Sequence, residues 1–153
     1  MPKKENTVVS AIRKEDSLPT QKTVLFVCEH GAARSTIAAA YFTKYATEQG
    51  LPYKAIFRGT SPDSVLTIGT QKGLAADGFA IDAWKPSFVS EQDVRLATKI
   101  ITFDCIIPHK DTLTTSVQTW NGIPPISKDY GVARDSIVKR VKLLVEELAK
   151  EKK

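Results

Sequence analysis

Cysteine is scarce in this sequence of 153 residues, which contains only Cys28 and Cys105. The two lie far apart along the chain and form no closely spaced pair of the kind that binds zinc. Two thiols also fall short of the disulfide framework of a small secreted protein. Such sparse use of cysteine is typical of a reducing compartment, where a cysteine is more often catalytic than structural.

Long hydrophobic runs are missing as well. No apolar run approaches the length of about 18 residues that a membrane helix needs, and no charged-then-apolar leader opens the chain. We therefore expect neither a membrane span nor a secretion signal, and a cytoplasmic location. The net charge is only +5, and much of it comes from lysines at the two ends. Because no basic stripe with interleaved aromatic residues is present, an anionic ligand is favoured over nucleic acid.

The length and the 42% hydrophobic content fit a single domain with a sizeable core. Residues 1–20 are polar and charged and end in Leu18-Pro19. We interpret them as an extension ahead of a domain that spans residues 21–153.

Segments typical of strands alternate with segments typical of helices. Apolar, β-branched runs predict strands at Thr23–Val27, Tyr53–Phe57, Lys99–Phe103 and, less regularly, Val117–Trp120. Helical spacing follows the first strand, recurs from Val65 to Ala75 and at Glu91–Ala97, where Ser90 is a candidate N-cap, and resumes from Ala133 onward. This alternation predicts a parallel sheet covered by helices on both faces, with ligands at the carboxyl ends of the strands. Cys28 stands at such an end.

The loop between the first strand and the first helix carries the clearest functional pattern. A backbone that wraps around an anion, next to a helix start, offers inward N–H groups and a partial positive charge. That field stabilises a thiolate at Cys28 as well as an oxyanion, and the guanidinium of Arg34 can hold two oxygens of a tetrahedral anion. Singly, Cys28 can be a core residue and Arg34-Ser35 an ordinary helix start. Together they predict an oxyanion site formed by Cys28, Glu29, His30, Gly31, Ala32, Ala33, Arg34 and Ser35.

The segment VLFVCEHGAARSTIAAAYF resembles the signature of the low-molecular-weight protein tyrosine phosphatase family, which includes thiol-dependent arsenate reductases. The resemblance continues through Arg58-Gly59-Thr60, Gly78, Lys85-Pro86, ITFD and Trp120 to the terminal helix, and covers about residues 22–149. Only the cysteine loop is specific as a motif. The resemblance implies a single-domain, four-stranded parallel sheet with helices on both faces.

A double displacement is the chemistry that this resemblance implies. Cys28 attacks phosphorus as a thiolate, Arg34 and the loop N–H groups hold the equatorial oxygens, and a phosphocysteine forms and is hydrolysed. Ser35 donates a hydrogen bond to the Cys28 sulfur. The implied substrate is phosphotyrosine or a small aryl phosphate, and no metal or cofactor is expected.

The expected proton donor is missing from its usual place. The family carries an Asp-Pro pair shortly after the tryptophan segment, but this chain has Ile123-Pro124-Pro125 there. We predict Asp129 as the substitute acid and Asp104 as the second choice. Each has a structural alternative, since Asp129 can cap the terminal helix and Asp104 can simply end its strand. Two departures concern the loop itself: Gly31 replaces an asparagine that braces it in many members, and Ala33 replaces a second cysteine.

Two further functions remain open. In the arsenate reductases of the family, a cysteine near the end of the equivalent strand attacks the thiol–arsenate adduct, and Cys105 lies close to that position. A reductase would act on arsenate with a small thiol or thioredoxin as partner, although Cys105 can equally be a buried strand-end thiol. The third hypothesis is a catalytically weak oxyanion-binding or regulatory domain. In all three, we expect the Thr60-Ser61 turn, the Trp84 region and the Trp120–Tyr130 loop to form the cleft walls.

Overall fold

Four strands form one parallel sheet in the computed structural model, which describes residues 21–151. The order across the sheet is β2-β1-β3-β4, with the strands β1 at Lys22–Cys28, β2 at Tyr53–Gly59, β3 at Lys99–Thr102 and β4 at Val117–Thr119. The helices are α1 at Arg34–Glu48, α2 at Ile68–Ala76, α3 at Glu91–Leu96 and α4 at Tyr130–Glu151, with a 3-10 turn at Lys110–Thr112. The predicted four-stranded, single-domain α/β fold is confirmed. The predicted extension at residues 1–20 lies outside the described residues.

Side chains of the central strand alternate between two cores, as the pleat of a strand requires. Val24 and Phe26 belong to the larger core, which α1, α2 and α4 cover. Leu25 and Val27 belong to a smaller core on the opposite face, which includes Val94 of α3. Helices therefore cover both faces, as predicted.

Trp120 belongs to the larger core rather than to a cleft wall. Its side chain is 4% exposed, and its ring lies 5.8 Å from Phe26 and 5.7 Å from Phe103 between centroids. The expectation that Trp120 begins the wall of a cleft is therefore wrong, because aromatic burial at the end of β4 places it inside. The residues that follow it do reach the surface.

Side chains cap the starts of α3 and α4. Ser90 accepts a hydrogen bond from the Asp93 N–H, as predicted for an N-cap, and the Asp93 side chain completes a capping box. The last helix begins at Tyr130, earlier than the predicted Ala133. The reason is Asp129, whose Oδ1 accepts from the Val132 N–H at 3.1 Å and whose carbonyl accepts from the Ala133 N–H at 3.1 Å.

The carboxyl ends of β1 and β3 meet at one edge of the sheet. The Phe103 N–H donates to the Val27 carbonyl at 2.9 Å, which sets Asp104 and Cys105 beside the end of β1. Cys28 and the second candidate acid are thereby brought to the same edge. No helix within residues 21–151 is both long and apolar enough to cross a membrane.

Candidate active site

Cys28 is the last residue of β1 and sits at the floor of the loop that follows. The residue is 3% exposed, and its Sγ lies 3.0 Å from the Ser35 Oγ in the first turn of α1. Ser35 is itself fully buried. The Ser35 hydroxyl can donate this hydrogen bond to the sulfur. The strand and the helix thus place the candidate nucleophile beside a buried hydroxyl.

The carbonyl groups of the loop turn outward. Those of Cys28, Glu29, His30 and Ala32 accept hydrogen bonds from the N–H groups of Thr60, Ser61, Asp63 and Thr67, at 2.7–3.2 Å. The Gly31 carbonyl accepts from the Thr36 hydroxyl at 3.2 Å, and the Ala33 carbonyl accepts from the Ile37 N–H at 2.9 Å.

The N–H groups of the loop are left for a ligand. Within residues 21–151, none of the N–H groups of residues 29–33 donates a hydrogen bond to another part of the protein. Buried or partly buried N–H groups normally find a partner. A loop whose carbonyls are satisfied on its outside and whose N–H groups are unpaired has the arrangement of an anion-binding nest.

Gly31 allows the loop to lie directly against β2. Its φ is +60°, and a Cβ at this position would come within 2.8 Å of the Gly59 backbone nitrogen. Gly59 is equally constrained, because its own Cβ would lie 2.7 Å from the Gly31 nitrogen. Close backbone packing and the hydrogen bond from the Thr36 hydroxyl therefore hold the loop at Gly31, where no side chain can brace it.

Arg34 opens α1 and reaches across the mouth of the loop. Its Nη1 donates to the Asp104 Oδ2 at 3.0 Å, and its guanidinium lies 6.0 Å from the centre of the Phe103 ring. The side chain is 26% exposed, so it is available to a ligand that enters from solvent. A planar guanidinium with one edge on a carboxylate retains further N–H donors for an oxyanion.

An open cleft of about 710 Å³ lies above Cys28. One wall is formed by Thr67, Ile68 and Gly69 at the start of α2, and the other by Ile123 and the segment Pro125–Ser127 ahead of α4. The loop residues Cys28, Glu29, His30, Ala32, Ala33 and Arg34 form the base. A largely aliphatic cleft with one arginine at its base suits an ester with an anionic head and an apolar body.

Comparison with known proteins identifies the family. The model of the low molecular weight phosphotyrosine protein phosphatases matches residues 23–119, more than half of the chain. The chain belongs to this family. A search of the curated proteins found no match.

Solved structures of similar fold include both phosphatases and arsenate reductases. YfkJ from Bacillus subtilis is 24% identical with a TM-score of 0.75, over 88% of this chain and 99% of that one. An arsenate reductase from Archaeoglobus fulgidus is 30% identical with a TM-score of 0.65, over 80% of this chain and 98% of that one. The YwlE arginine phosphatase from Geobacillus stearothermophilus is 22% identical with a TM-score of 0.69, over 85% and 94% of the two chains.

The family match ends before the segment in which the proton donor is expected. Asp129, the first choice, is exposed and follows the cleft wall by two residues, with its Oδ1 engaged at the start of α4. Asp104, the second choice, is held by Arg34 and has a φ of +55°. Each carboxylate therefore has a structural role: Asp129 caps α4, and Asp104 forms an ion pair with Arg34 after the end of β3.

Cys105 lies on the opposite side of β1 from the larger core. It packs against the smaller core, and its Sγ lies 3.5 Å from the Val27 carbonyl, to which the thiol donates. Burial raises the pKa of the Cys105 thiol, and the nearby Cys28 raises it further. Burial at this position therefore favours the thiol form of Cys105 over the thiolate.

His30 lies at the outer rim of the loop. Its side chain is 56% exposed, with Nδ1 3.4 Å from Asp63 and 3.3 Å from the Ser61 carbonyl, and Nε2 3.8 Å from Glu29. The imidazole ring thus lies between two carboxylates and faces solvent at the entrance to the cleft.

The cleft walls differ from the sequence-based expectation. The Thr60-Ser61 turn, which was expected to form a wall, does not line the cleft, because its N–H groups bind the outward carbonyls of Cys28 and Glu29. The wall at Thr67–Gly69 was not expected; the Thr67 N–H bond to the Ala32 carbonyl links it to the loop. Trp84 instead faces a separate groove, where its ring lies 6.0 Å from Phe57. The expectation that the Trp84 region lines the cleft is therefore wrong, because its contact with Phe57 of β2 holds the half-buried Trp84 ring in this other groove.

Proposed function

We propose that this chain is a cysteine-dependent phosphatase that hydrolyses phosphotyrosine or small aryl phosphates through a phosphocysteine intermediate. The observation that carries the proposal is the loop after β1: its carbonyls are bonded on the outside, its N–H groups are unpaired, and Cys28 Sγ lies at its floor 3.0 Å from Ser35 Oγ. The N–H groups and Arg34 supply the donors that a phosphoryl transition state needs, because charge spreads over its three equatorial oxygens.

In the first step the Cys28 thiolate attacks phosphorus opposite the ester oxygen. The S–P bond forms while the bond between phosphorus and the ester oxygen breaks. The departing aryl oxide takes a proton from Asp129. A positioned general acid contributes about 10²- to 10⁴-fold to such a step.

In the second step water attacks the phosphocysteine. The bond between water oxygen and phosphorus forms, the S–P bond breaks, and Cys28 leaves as a thiolate that the Ser35 hydroxyl stabilises. The proton of the water passes to the Asp129 carboxylate, which restores the acid. Inorganic phosphate then leaves the loop.

Asp129 is preferred to Asp104 on geometry. Asp129 follows the Pro125–Ser127 wall by two residues, and the helix cap uses only its Oδ1. Asp104 also has one oxygen engaged, but its partner is Arg34 at 3.0 Å, so Asp104 serves to position the group that holds the oxyanion.

A second candidate function is thiol-dependent arsenate reduction. The 30% identity to the Archaeoglobus fulgidus arsenate reductase and the position of Cys105 beside β1 favour it. The Cys28 sulfur would bond to arsenic as a hydroxyl of arsenate leaves as water, and a second thiol would then attack the Cys28 sulfur. As the disulfide forms, the S–As bond breaks and its two electrons stay on arsenic, which departs as arsenite. A small thiol or thioredoxin would reduce the disulfide. The raised pKa of Cys105 makes it a poor second thiol without activation.

The decisive experiment compares Cys28→Ser with Cys105→Ser. Hydrolysis of p-nitrophenyl phosphate and phosphotyrosine should disappear in Cys28→Ser and remain within about twofold of the wild type in Cys105→Ser, since only Cys28 forms the covalent intermediate. Mass spectrometry of acid-quenched wild-type protein should find phosphate on Cys28 during turnover.

Other outcomes identify the other functions. Thiol-coupled reduction of arsenate without aryl phosphate hydrolysis would replace the phosphatase by the reductase. Tight binding of phosphate or arsenate with neither activity would identify an oxyanion-binding domain. Unchanged hydrolysis in Cys28→Ser would refute the site itself.

A further inference from the structure

Asp77 lies outside the cleft and is the centre of a polar cluster between three helices. Its Oδ2 accepts hydrogen bonds from the Tyr41 hydroxyl at 2.6 Å and from the Tyr130 hydroxyl at 2.8 Å. Its Oδ1 accepts from Arg134 Nη1 at 3.0 Å. The Asp77 side chain is only 16% exposed, so these three donors replace the water that a carboxylate would otherwise hold.

The cluster joins α1, α2 and α4 at one point. Tyr41 comes from the middle of α1, Asp77 caps the end of α2, and Tyr130 and Arg134 belong to the first turns of α4. The guanidinium of Arg134 also lies 5.5 Å from the centre of the Tyr130 ring. We call these four residues the Asp77 clamp.

Gly73 of α2 provides the surface on which the clamp residue Tyr130 packs. A Cβ on Gly73 would lie 2.3 Å from the Tyr130 ring, so the ring packs directly on the helix backbone. Gly73 in a helix interior lowers helix stability by about 0.5–1 kcal/mol relative to alanine. Glycine at this position thus weakens α2 slightly but allows Tyr130 of α4 to pack closely against it.

The helices that the clamp joins carry the two walls of the cleft. The first residues of α2, Ile68 and Gly69, lie in one wall. The other wall ends at Ser127, three residues before Tyr130, where α4 begins. The walls also meet, because a Cβ on Gly69 would lie 3.6 Å from Ile126 Cγ2. Asp129 stands between the wall and Tyr130, so its position depends on how the start of α4 is held.

We propose that the Asp77 clamp is a positioning device for the cleft, which fixes the start of α4 and with it the candidate acid Asp129 relative to Cys28. Only the kinetic effect expected of the clamp rests on the proposed phosphatase function. A misplaced acid penalises poor leaving groups most, because good leaving groups depart without full protonation. The clamp touches no substrate, so oxyanion binding in the loop should not depend on it.

The structural test is amide hydrogen exchange in Tyr130→Phe and Asp77→Asn. Both variants remove donor–acceptor pairs from the clamp, and Tyr130→Phe keeps the ring on Gly73. Exchange in residues 66–72 and 123–133 should rise by about tenfold, the effect of losing one hydrogen bond to a charged group of about 1.5 kcal/mol. Tyr45→Phe is the matched control, since Tyr45 stacks on Tyr41 but lies outside the clamp. Unchanged exchange in both clamp variants would overturn the proposal.

The kinetic test compares phenyl phosphate with p-nitrophenyl phosphate. In Tyr130→Phe, kcat for phenyl phosphate should fall about tenfold and kcat for p-nitrophenyl phosphate less than about twofold, with inhibition by inorganic phosphate unchanged. Equal losses for both substrates and for phosphate binding would show a merely structural role and overturn the proposal. If exchange rises as expected but the wild type hydrolyses neither ester, the proposed function fails and the clamp stands.

Discussion

Arg34 and Asp104 form an ion pair across the mouth of the candidate active site. The Nη1 atom lies 3.0 Å from Oδ2, and Asp104 adopts a left-handed φ of +55° to present its carboxylate. Such a conformation is uncommon outside glycine, although aspartate tolerates it better than most residues. The contact occupies one edge of the guanidinium and places a negative charge next to the loop that we propose binds the phosphate dianion.

Substitution of Asp104 by asparagine should tighten oxyanion binding. Asparagine retains a hydrogen-bond acceptor for Arg34 but removes the charge that repels the ligand. Because the carboxylate is 49% exposed, solvent screens the effect, and we expect inhibition by phosphate to strengthen by about two- to fivefold, equivalent to at most about 1 kcal/mol. Steady-state inhibition at low and high salt measures it. A fall in kcat that is larger for phenyl phosphate than for p-nitrophenyl phosphate would instead make Asp104 the acid.

Ser35→Ala should slow hydrolysis of the phosphocysteine without emptying the loop. The variant removes the hydroxyl that lies 3.0 Å from the Cys28 sulfur and leaves the backbone intact. A hydrogen bond to a charged group contributes about 1.5–3 kcal/mol, so the step in which Cys28 leaves as a thiolate should slow by roughly 10-fold or more, measured as kcat for p-nitrophenyl phosphate. Inhibition by added phosphate should persist, since Arg34 and the N–H groups remain. An unchanged kcat would remove Ser35 from the mechanism.

Gly31→Ala should disable the loop, whereas Gly50→Ala should not. Both glycines have left-handed φ values, +60° and +68°, so both substitutions carry a similar backbone cost of about 1–2 kcal/mol. A Cβ on Gly50 would meet nothing within 4 Å, but one on Gly31 would lie 2.8 Å from the Gly59 nitrogen. Gly31→Ala should therefore lower the thermal midpoint more than Gly50→Ala, and only Gly31→Ala should lose phosphate binding. Similar binding in both variants would show that the loop tolerates displacement from β2.

Local patterns in the sequence predicted the parts of the molecule that depend on local forces. The apolar run before Cys28 and the Ala-rich stretch after Ser35 predicted β1 and α1, and Ser90 predicted the start of α3. Wall positions depend instead on which helices pack side by side. Trp84 pairs with Phe57 in a separate groove, and Thr67 reaches the cleft through a backbone bond to Ala32. No periodicity in a single chain specifies such contacts between distant segments.

The same limit explains why the sequence pattern does not distinguish between the two candidate acids. Asp129 and Asp104 each follow an element end, where a carboxylate serves equally well as a cap, an ion-pair partner or a proton donor. The contact with Arg34 joins residues that are 70 positions apart in sequence, so only the parallel pairing of β1 with β3 brings it about. The Asp77 clamp, which draws on three helices, was likewise invisible to motif analysis.

Cys105 should react with neutral alkylating agents only at alkaline pH. Burial raises the pKa of its thiol, and the thiolate is the reactive form. In Cys28→Ser, where Cys105 is the remaining thiol, modification by iodoacetamide should be slow at pH 7 and should accelerate as the pH rises above the ordinary value of about 8.5. Rates measured by mass spectrometry across this range test the expectation. Fast modification at neutral pH would favour the arsenate reductase, which needs a second reactive thiol.

The Asp77 carboxylate should make stability depend on pH in the acid range. Burial alone would raise the pKa of Asp77, but hydrogen bonds from Tyr41, Tyr130 and Arg134 outweigh burial and lower it. A group whose pKa is lower in the folded state stabilises the fold above its unfolded pKa of about 3.9, and this contribution is lost as the pH falls through the folded value. Asp77→Asn cannot titrate, so the difference in unfolding free energy between wild type and variant should be largest near pH 7 and shrink below about pH 4.

Urea unfolding at pH 7 and pH 3 measures that difference. Asp135→Asn is the matched control, because Asp135 also contacts Arg134, at 2.9 Å, but its side chain is 73% exposed. Solvent screens an exposed pair, so the control should change stability little at either pH. If Asp77→Asn destabilised the protein equally at both pH values, its effect would come from shape and packing alone. The hydrogen bonds of the two tyrosine hydroxyls and the packing of Tyr130 on Gly73 would then stabilise the clamp, and the charge of Asp77 would not.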